Sequence, residues 1–244
     1  MRLLTAPLQY LVMTLATFVC APVILWRSLR GRQRAAYAPV EWWARTLAAV
    51  CGVTFGVRGL EHVPTDGRCV VLSNHCSHLD GPVLLLALRV PLYFVIKREL
   101  ARVPIWGPAT VRVGFIAIDR SDSAQARAEL ARAVEAVRGG RTVLVFPEGT
   151  RSPDGRLQRF KKGGFRLAVD AQVPILPVTV NGSAALLPKG SPAPYPGRVD
   201  VIVHPPIPTA GLGPDDVPDL GDRTWRAIES GRREDPAYPG STAP

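Results

Sequence analysis

The sequence reads CVVLSNHCSHLD at residues 69–80 and TVLVFPEGTRS at residues 142–152, and in each stretch a valine-rich run leads directly into polar residues. In runs this short, periodicity does not distinguish a buried strand from a buried helix. Their valine content and the glycine before each run favour strands buried on both faces. In open α/β sheets, sites form where strands end and helices begin. The two polar clusters therefore predict a functional site at the ends of two buried strands.

His75 and Asp80, in the first stretch, form a candidate acid–base pair. Five helical steps of about 100° each would leave the two side chains well apart around a helix axis. The spacing instead suits a histidine in a strand-to-helix turn and an aspartate in the first helical turn, where the carboxylate can accept from one imidazole nitrogen. The other nitrogen can then act as a general base, because the unperturbed pKa of histidine is about 6.5. A polar turn with a helix cap is the alternative interpretation of this pair.

The substrate, rather than the protein, is expected to supply the attacking hydroxyl. The sequence contains no Gly-x-Ser-x-Gly stretch, which marks the nucleophilic serine of α/β-hydrolases. His75 would then activate a hydroxyl group that belongs to the substrate.

Four blocks of the sequence, in order, resemble the motifs of the 1-acylglycerol-3-phosphate O-acyltransferases, the glycerolipid acyltransferases with a His-x4-Asp signature. The blocks are NHCSHLD at 74–80, KREL at 97–100 with GFIAIDR at 114–120, FPEGTRS at 146–152, and VPILPV at 173–178. The stretch FKKGGF at 160–165 adds a match between the third and fourth blocks. The resemblance covers residues 55–207, and four blocks in the family's order carry more weight than any one of them alone.

The resemblance implies an α/β enzyme that moves a fatty acyl group from acyl-CoA or acyl-ACP (acyl carrier protein) to the free hydroxyl of a lysophospholipid. The acceptor expected first is 1-acyl-sn-glycerol-3-phosphate, which would give phosphatidic acid, and other lysolipids remain as alternatives. By the same resemblance, His75 is the general base and Asp80 orients its imidazole. A thiol with a pKa of about 8.5 leaves without strong protonation, so the reaction requires no metal and no cofactor beyond the thioester co-substrate.

Four further residues are candidates for binding the acceptor. The resemblance assigns this role to Glu148, Gly149 and Arg151 of the third motif. Arg120, like Arg151, follows an apolar run, and its guanidinium group is suited to binding a phosphate through two parallel hydrogen bonds. A solvated surface arginine is the alternative interpretation of Arg120. His78, inside the first motif, is interpreted as a structural residue.

Composition narrows the alternative functions. The net charge of +10 is compatible with nucleic acid, an anionic membrane surface or an anionic substrate, but the sequence lacks a nucleic-acid recognition motif. The four cysteines have no metal-ligand spacing, which favours a reducing cytosolic compartment and no metal site. A lipid hydrolase that uses water as the acceptor remains open. A non-catalytic membrane-binding module also remains open, although it would leave both polar clusters unexplained.

The amino-terminal region predicts attachment to the cytoplasmic face of the cell inner membrane or plasma membrane. Leu3–Trp26 carries no charge and is followed by arginines at 27, 30, 32 and 34, so a span of about 20 apolar residues would have its basic flank in the cytoplasm. A cleaved signal peptide would need its heavier basic cluster before the apolar run, and a retained anchor is favoured. Val40–Val57 is interpreted as an amphipathic interfacial helix that forms a hairpin with the first. Packing of these helices on the catalytic domain alone is the alternative.

The chain as a whole predicts an α/β domain with a largely parallel or mixed sheet flanked by helices. Besides the two valine-rich runs, strands are expected at 92–96, 114–118, 175–180 and 199–203, and helices near 80–89, 123–138 and 163–171. The expected domains are membrane-anchoring helices at 1–57, an acyltransferase domain at 58–207 and a Pro/Gly-rich extension at 208–244. The extension is expected to hold one short helix around 222–230 and a disordered tail.

Overall fold

The computed structural model describes residues 2–30, 36–118, 123–188, 190–191 and 193–233, with the backbone alone at 2–6 and 123–127. The strands are β1 (Val53–Arg58), β2 (Val70–Ser73), β3 (Leu92–Lys97), β4 (Ile116–Ile118), β5 (Thr142–Val145), β6 (Ile175–Asn181) and β7 (Gly197–Val203). The helices are α1 (Arg2–Leu29), α2 (Ala38–Val50), α3 (Asp80–Ala87), α4 (Arg98–Ala101), α5 (Trp106–Val113), α6 (Ser123–Arg138), α7 (Gly163–Ala171), α8 (Ser183–Leu186) and α9 (Val217–Ser230). This alternation of strands and helices is that of an α/β fold, as the sequence predicts.

One sheet holds these seven strands, in the order β1-β7-β6-β2-β5-β3-β4. Its pairs are parallel except for β6 and β7, which confirms the prediction of a largely parallel or mixed sheet. β2 lies at the centre, and its residues 70–72 are fully buried, as expected for a valine-rich strand covered on both faces. Because β2 and β5 are parallel neighbours, with Val70 opposite Val143, the two polar clusters emerge at the same edge of the sheet.

Helices cover both faces of the sheet. On one face, α3 packs over Val71 and its sheet neighbours. On the other face, α6, α7 and α9 enclose Val70 and Leu72, since successive strand residues point to opposite sides. Burial of each such valine or leucine side chain contributes about 1.5–3 kcal/mol, so the central strands are held firmly and the loops at their ends have a rigid base.

The two predicted amino-terminal helices, α1 and α2, lie against each other, and α1 also packs on α5. The indole N–H of Trp43 donates to the Thr17 hydroxyl at 3.0 Å, which joins α2 to α1. Pro7–Leu29 is long and apolar enough to cross a membrane by length and composition, with a mean hydropathy of 2.0. The outward face of this helix carries exposed apolar side chains, namely Leu8, Leu11, Leu15, Phe18 and Val19. Attachment to a membrane stays a prediction.

The prediction of one helix over Val40–Val57 is wrong in its second part. Helix α2 ends at Val50, and residues 53–58 form β1. Gly52 has a φ of +64° and ends the helix, because glycine adopts this left-handed conformation without a steric penalty. The residues that follow pair with β7, Val53 lying opposite Gly197. Strand formation here depends on that distant partner, which local sequence does not reveal.

Helix α9 is longer than the helix predicted around 222–230, since it begins at Val217. Pro218 lies in the first turn, where its missing N–H leaves no hydrogen bond unmade. Leu220, Thr224 and Ile228 follow at four-residue spacing and are fully buried where α9 packs on β6 and α7. Part of the carboxy-terminal extension therefore belongs to the core. The predicted disordered tail lies at 234–244, outside the described residues.

Candidate active site

His75 and Asp80 are brought together by the turn between β2 and α3. Asp80 is the first residue of α3, and its Oδ2 lies 2.8 Å from His75 Nδ1. The same oxygen accepts hydrogen bonds from the backbone N–H groups of Cys76 and Ser77, each at 2.8 Å. Asp80 is fully buried, and a carboxylate is favoured at a helix N-terminus. The carboxylate thus fixes the imidazole so that Nε2 is the ring nitrogen left to take a proton.

The imidazole of His75 is also held by an aromatic ring of the third motif. Phe146 stacks on it with ring centroids 3.9 Å apart and planes within 14° of parallel. Only 19% of the His75 side chain is exposed. One face of the imidazole is therefore covered, and one edge is bound to Asp80.

The carboxylate of Glu148 binds the main chain of His75 and does not face an open part of the site. Its Oε1 accepts the His75 backbone N–H at 2.7 Å, and its Oε2 accepts the Gln158 backbone N–H at 3.2 Å. The residue is 3% exposed, and this burial raises its pKa to about 7, against the effect of the two hydrogen bonds. Ser152 completes the attachment, because its N–H donates to the His75 carbonyl at 2.7 Å.

Gly149 turns the chain between Glu148 and Arg151. Its φ is +75°, which glycine adopts readily, and its N–H donates to the Phe146 carbonyl at 3.0 Å. This tight turn directs Arg151 into a cavity of about 520 Å³ beside the first motif. Glu148 and Arg151, both predicted to bind the acceptor, thus lie in different surroundings.

Asn74 is a residue of the first motif to which the sequence assigned no role. Its side chain accepts the Val180 N–H and donates to the Val180 carbonyl, each at 2.8 Å. It therefore fixes the end of β2 to β6, which contains most of the fourth motif. The feature of the sequence that could have indicated this role is the position of Asn74 directly after a buried strand.

An apolar cavity of about 210 Å³ opens beside His75 and Phe146. It is enclosed by side chains from α1, α2, α3, α5 and β3, among them Ala21, Ile24, Trp43, Leu85, Phe94 and Ala109. His78 lines both this cavity and the one that contains Arg151. Burial, together with the positive charge of Arg151, lowers the pKa of His78. His75 therefore borders the apolar cavity, and His78, three residues further on, borders both cavities.

The remaining site predictions are only partly covered by the structure. Arg120, the fourth candidate for acceptor binding, lies outside the described residues. Within the described ranges, no group of three or more His, Cys, Asp and Glu side chains is arranged to hold a metal ion.

The chain is an acyltransferase, since residues 54–181 match the family model described as Acyltransferase. The chain is 38% identical over 212 residues to the 1-acyl-sn-glycerol-3-phosphate acyltransferase of Pseudomonas aeruginosa, an alignment that covers 85% of this chain and 79% of that protein. It is 39% identical over 188 residues to the alpha form of that enzyme from Ovis aries, covering 75% of this chain and 64% of the relative.

A solved structure agrees with these sequence matches. The 1-acyl-sn-glycerophosphate acyltransferase PlsC of Thermotoga maritima superimposes with a TM-score of 0.77 at 27% identity, covering 95% of this chain and 98% of that one. The chain belongs to the 1-acyl-sn-glycerol-3-phosphate acyltransferase family, as the four motifs predict.

Proposed function

We propose that this enzyme transfers a fatty acyl group from a coenzyme A or acyl carrier protein thioester to the free hydroxyl of 1-acyl-sn-glycerol-3-phosphate, giving phosphatidic acid. The observation that carries the proposal is the 2.8 Å contact between His75 Nδ1 and Asp80 Oδ2, beside an apolar cavity that His75 lines and three residues before His78, which lines both that cavity and the one that contains Arg151. The names of the relatives favour this acceptor.

His75 would act as the general base. Nε2 takes the proton of the acceptor hydroxyl as the oxygen attacks the thioester carbonyl carbon, which forms a C–O bond and a tetrahedral intermediate. The intermediate collapses by breaking the C–S bond, and the imidazolium returns its proton to the leaving thiolate. Asp80 stabilises the imidazolium while it exists, because its buried carboxylate remains in contact with Nδ1.

The two cavities suit the two substrates. The apolar cavity would take the acyl chain of the donor, since each buried methylene contributes about 0.8 kcal/mol. Arg151 would bind the acceptor phosphate, for which a guanidinium group offers two parallel hydrogen bonds. Arg120 is proposed as a second phosphate ligand from its place in the second motif.

Helix α1 would hold the enzyme on a membrane. Its exposed apolar face and the arginines that follow it in the sequence suit a bilayer with an anionic cytoplasmic surface. Lysophospholipid acceptors reside in such a surface, so attachment there would bring them directly to the site.

The test is transfer from a labelled acyl thioester to a panel of lysolipids by the membrane-reconstituted protein. Donors carried by coenzyme A and by acyl carrier protein are assayed in parallel. We expect labelled phosphatidic acid, a loss of at least about a hundredfold in His75→Ala and Asp80→Asn, and unchanged vesicle binding by both variants. Labelling of another lysolipid would replace the acceptor and keep the chemistry. Release of free fatty acid without an acylated lipid would instead identify a hydrolase.

A further inference from the structure

The cavity that contains Arg151 is closed on one side by the amino-terminal helix. Gln9, Tyr10 and Met13 of α1 line it, together with His78, Arg151 and a segment between β6 and β7 that contributes Leu187, Pro188, Gly190, Ser191 and Pro194. That segment is tied to the catalytic turn, because the Ser77 hydroxyl donates to the Leu187 carbonyl at 3.0 Å. The cavity therefore forms only where α1 meets the catalytic domain.

Gln9 is a polar side chain in an otherwise apolar part of α1. Its Nε2 donates to the Val50 carbonyl at 3.3 Å, and this bond uses one of its two N–H donors. Its Oε1 is buried and has no hydrogen-bond partner among the described residues. An unpaired buried amide oxygen is destabilising, so a ligand that supplies its partner would bind more tightly.

The same cavity has excess positive charge. Arg151 has no carboxylate within 4.0 Å in the described part of the chain. The nearby charge of Arg151 helps to lower the pKa of His78, which indicates that the two groups share one space. An anion bound there would pair with the guanidinium group of Arg151.

From the unpartnered amide oxygen of Gln9, the cationic Arg151 and the shared cavity, we infer that Gln9 of α1 binds the polar head of the lysophospholipid acceptor. This inference rests on the proposed function. The free N–H of the carboxamide donates to a phosphate oxygen, and Oε1 accepts from a hydroxyl or a bound water of the glycerol phosphate head. Helix α1 is then part of the acceptor site as well as an anchor.

A purely structural role for Gln9 makes different predictions. If Gln9 only tied α1 to the end of α2 through Val50, its loss would weaken folding and would change the KM values of donor and acceptor alike. A role in acceptor binding concerns the acceptor alone. It also makes the effect of Gln9 depend on Arg151, because both residues contact one phosphate.

The experiment compares Gln9→Leu and Gln9→Glu with the parent enzyme in vesicles, using 1-acyl-sn-glycerol-3-phosphate and an acyl thioester. Gln9→Leu is expected to raise the acceptor KM about tenfold, because one charge-assisted hydrogen bond is lost. The donor KM should stay within about twofold of the parent value. Gln9→Glu is expected to raise the acceptor KM further, since a carboxylate beside Arg151 repels phosphate. Thr14→Leu is the matched control for Gln9→Leu, because Thr14 is an exposed residue of the same helix, lies outside that cavity, and its replacement keeps the exposed face of α1 apolar.

A double-mutant cycle with Arg151→Ala decides the outcome. The effect of Gln9→Glu on the acceptor KM should shrink at least about threefold in the Arg151→Ala background, because interacting residues are not additive. Additive effects, or equal rises in donor and acceptor KM, would overturn the role of Gln9. If the parent enzyme transferred no acyl group to this acceptor, the proposed function itself would fail, and the two failures are thereby distinguished.

Discussion

The imidazole of His75 lies parallel to the phenyl ring of Phe146, with the ring centroids 3.9 Å apart. The two residues belong to different motifs and follow the ends of neighbouring parallel strands, β2 and β5. Stacking of aromatic rings contributes about 0.5–1.5 kcal/mol beyond the area that they bury. Together with Asp80, Phe146 therefore limits the orientation of the proposed base.

Replacing Phe146 by leucine is expected to lower kcat about tenfold while the KM of either substrate changes little, because the proposed base loses its orientation and the cavity keeps an apolar wall. Steady-state kinetics with varied donor and acceptor measure this change. Phe160→Leu is the control, since Phe160 packs against Phe165 in the core. An unchanged kcat in Phe146→Leu would show that the stacking does not orient the base.

Glu148 offers a test between two roles. The family resemblance assigns it to acceptor binding, whereas both of its oxygens accept backbone N–H groups, of His75 and of Gln158. Glu148→Gln places an amide N–H₂ against one of these donors, so it should displace the His75 main chain and lower kcat about tenfold or more. The acceptor KM should stay within about twofold of the parent value. A selective rise in that KM, with kcat preserved, would instead support direct contact with the acceptor.

Glu148 should also make stability depend on pH. Burial raises its pKa from 4.5 to about 7, so the folded protein keeps this proton between those values while the unfolded chain releases it. The stabilisation is complete below pH 4.5 and is lost as the pH rises through about 7, by up to roughly 3 kcal/mol. Thermal unfolding in detergent at pH 5 and pH 8 measures this loss of stability. The difference between the two pH values should shrink in Glu148→Gln and persist in Glu135→Gln, an exposed control; an equal difference in both variants would contradict this assignment.

The features that can be predicted from the sequence are those that depend on residues close together in the chain. The valine-rich runs at 70–72 and 142–145 require burial on both faces, so β2 and β5 and the site at their ends follow from the sequence. The contact between His75 and Asp80 also follows, because it is made within one strand-to-helix turn. These features need only residues that are close together in the chain.

What the sequence does not predict depends on distant partners. The sequence predicts helix for most of β1, because the partner that makes this segment a strand, β7, is distant in the chain: Val53 lies opposite Gly197. Helix α5 (Trp106–Val113) was not predicted, and it starts after Ile105, whose φ of +66° is unusual for a β-branched residue. The cavities are defined by packing between α1 and the domain, so the surroundings of Gln9 appear only in three dimensions.

The apolar cavity beside His75 should set the preferred length of the donor chain. Ala21 lines it and is 2% exposed, so Ala21→Phe would occupy part of the space that an acyl chain needs. Excluding two methylenes costs about 1.6 kcal/mol, which raises the KM of a long-chain donor by at least about tenfold. A short-chain donor, which does not reach the added ring, should keep its KM within about twofold. Assays with a series of donor lengths measure the shift, and Val19→Phe, on the exposed face of the same helix, is the matched control. If Ala21→Phe raised the KM values of short and long donors equally, the cavity would not be the site of the acyl chain, and the proposed arrangement of the two substrates around His75 would have to be reversed.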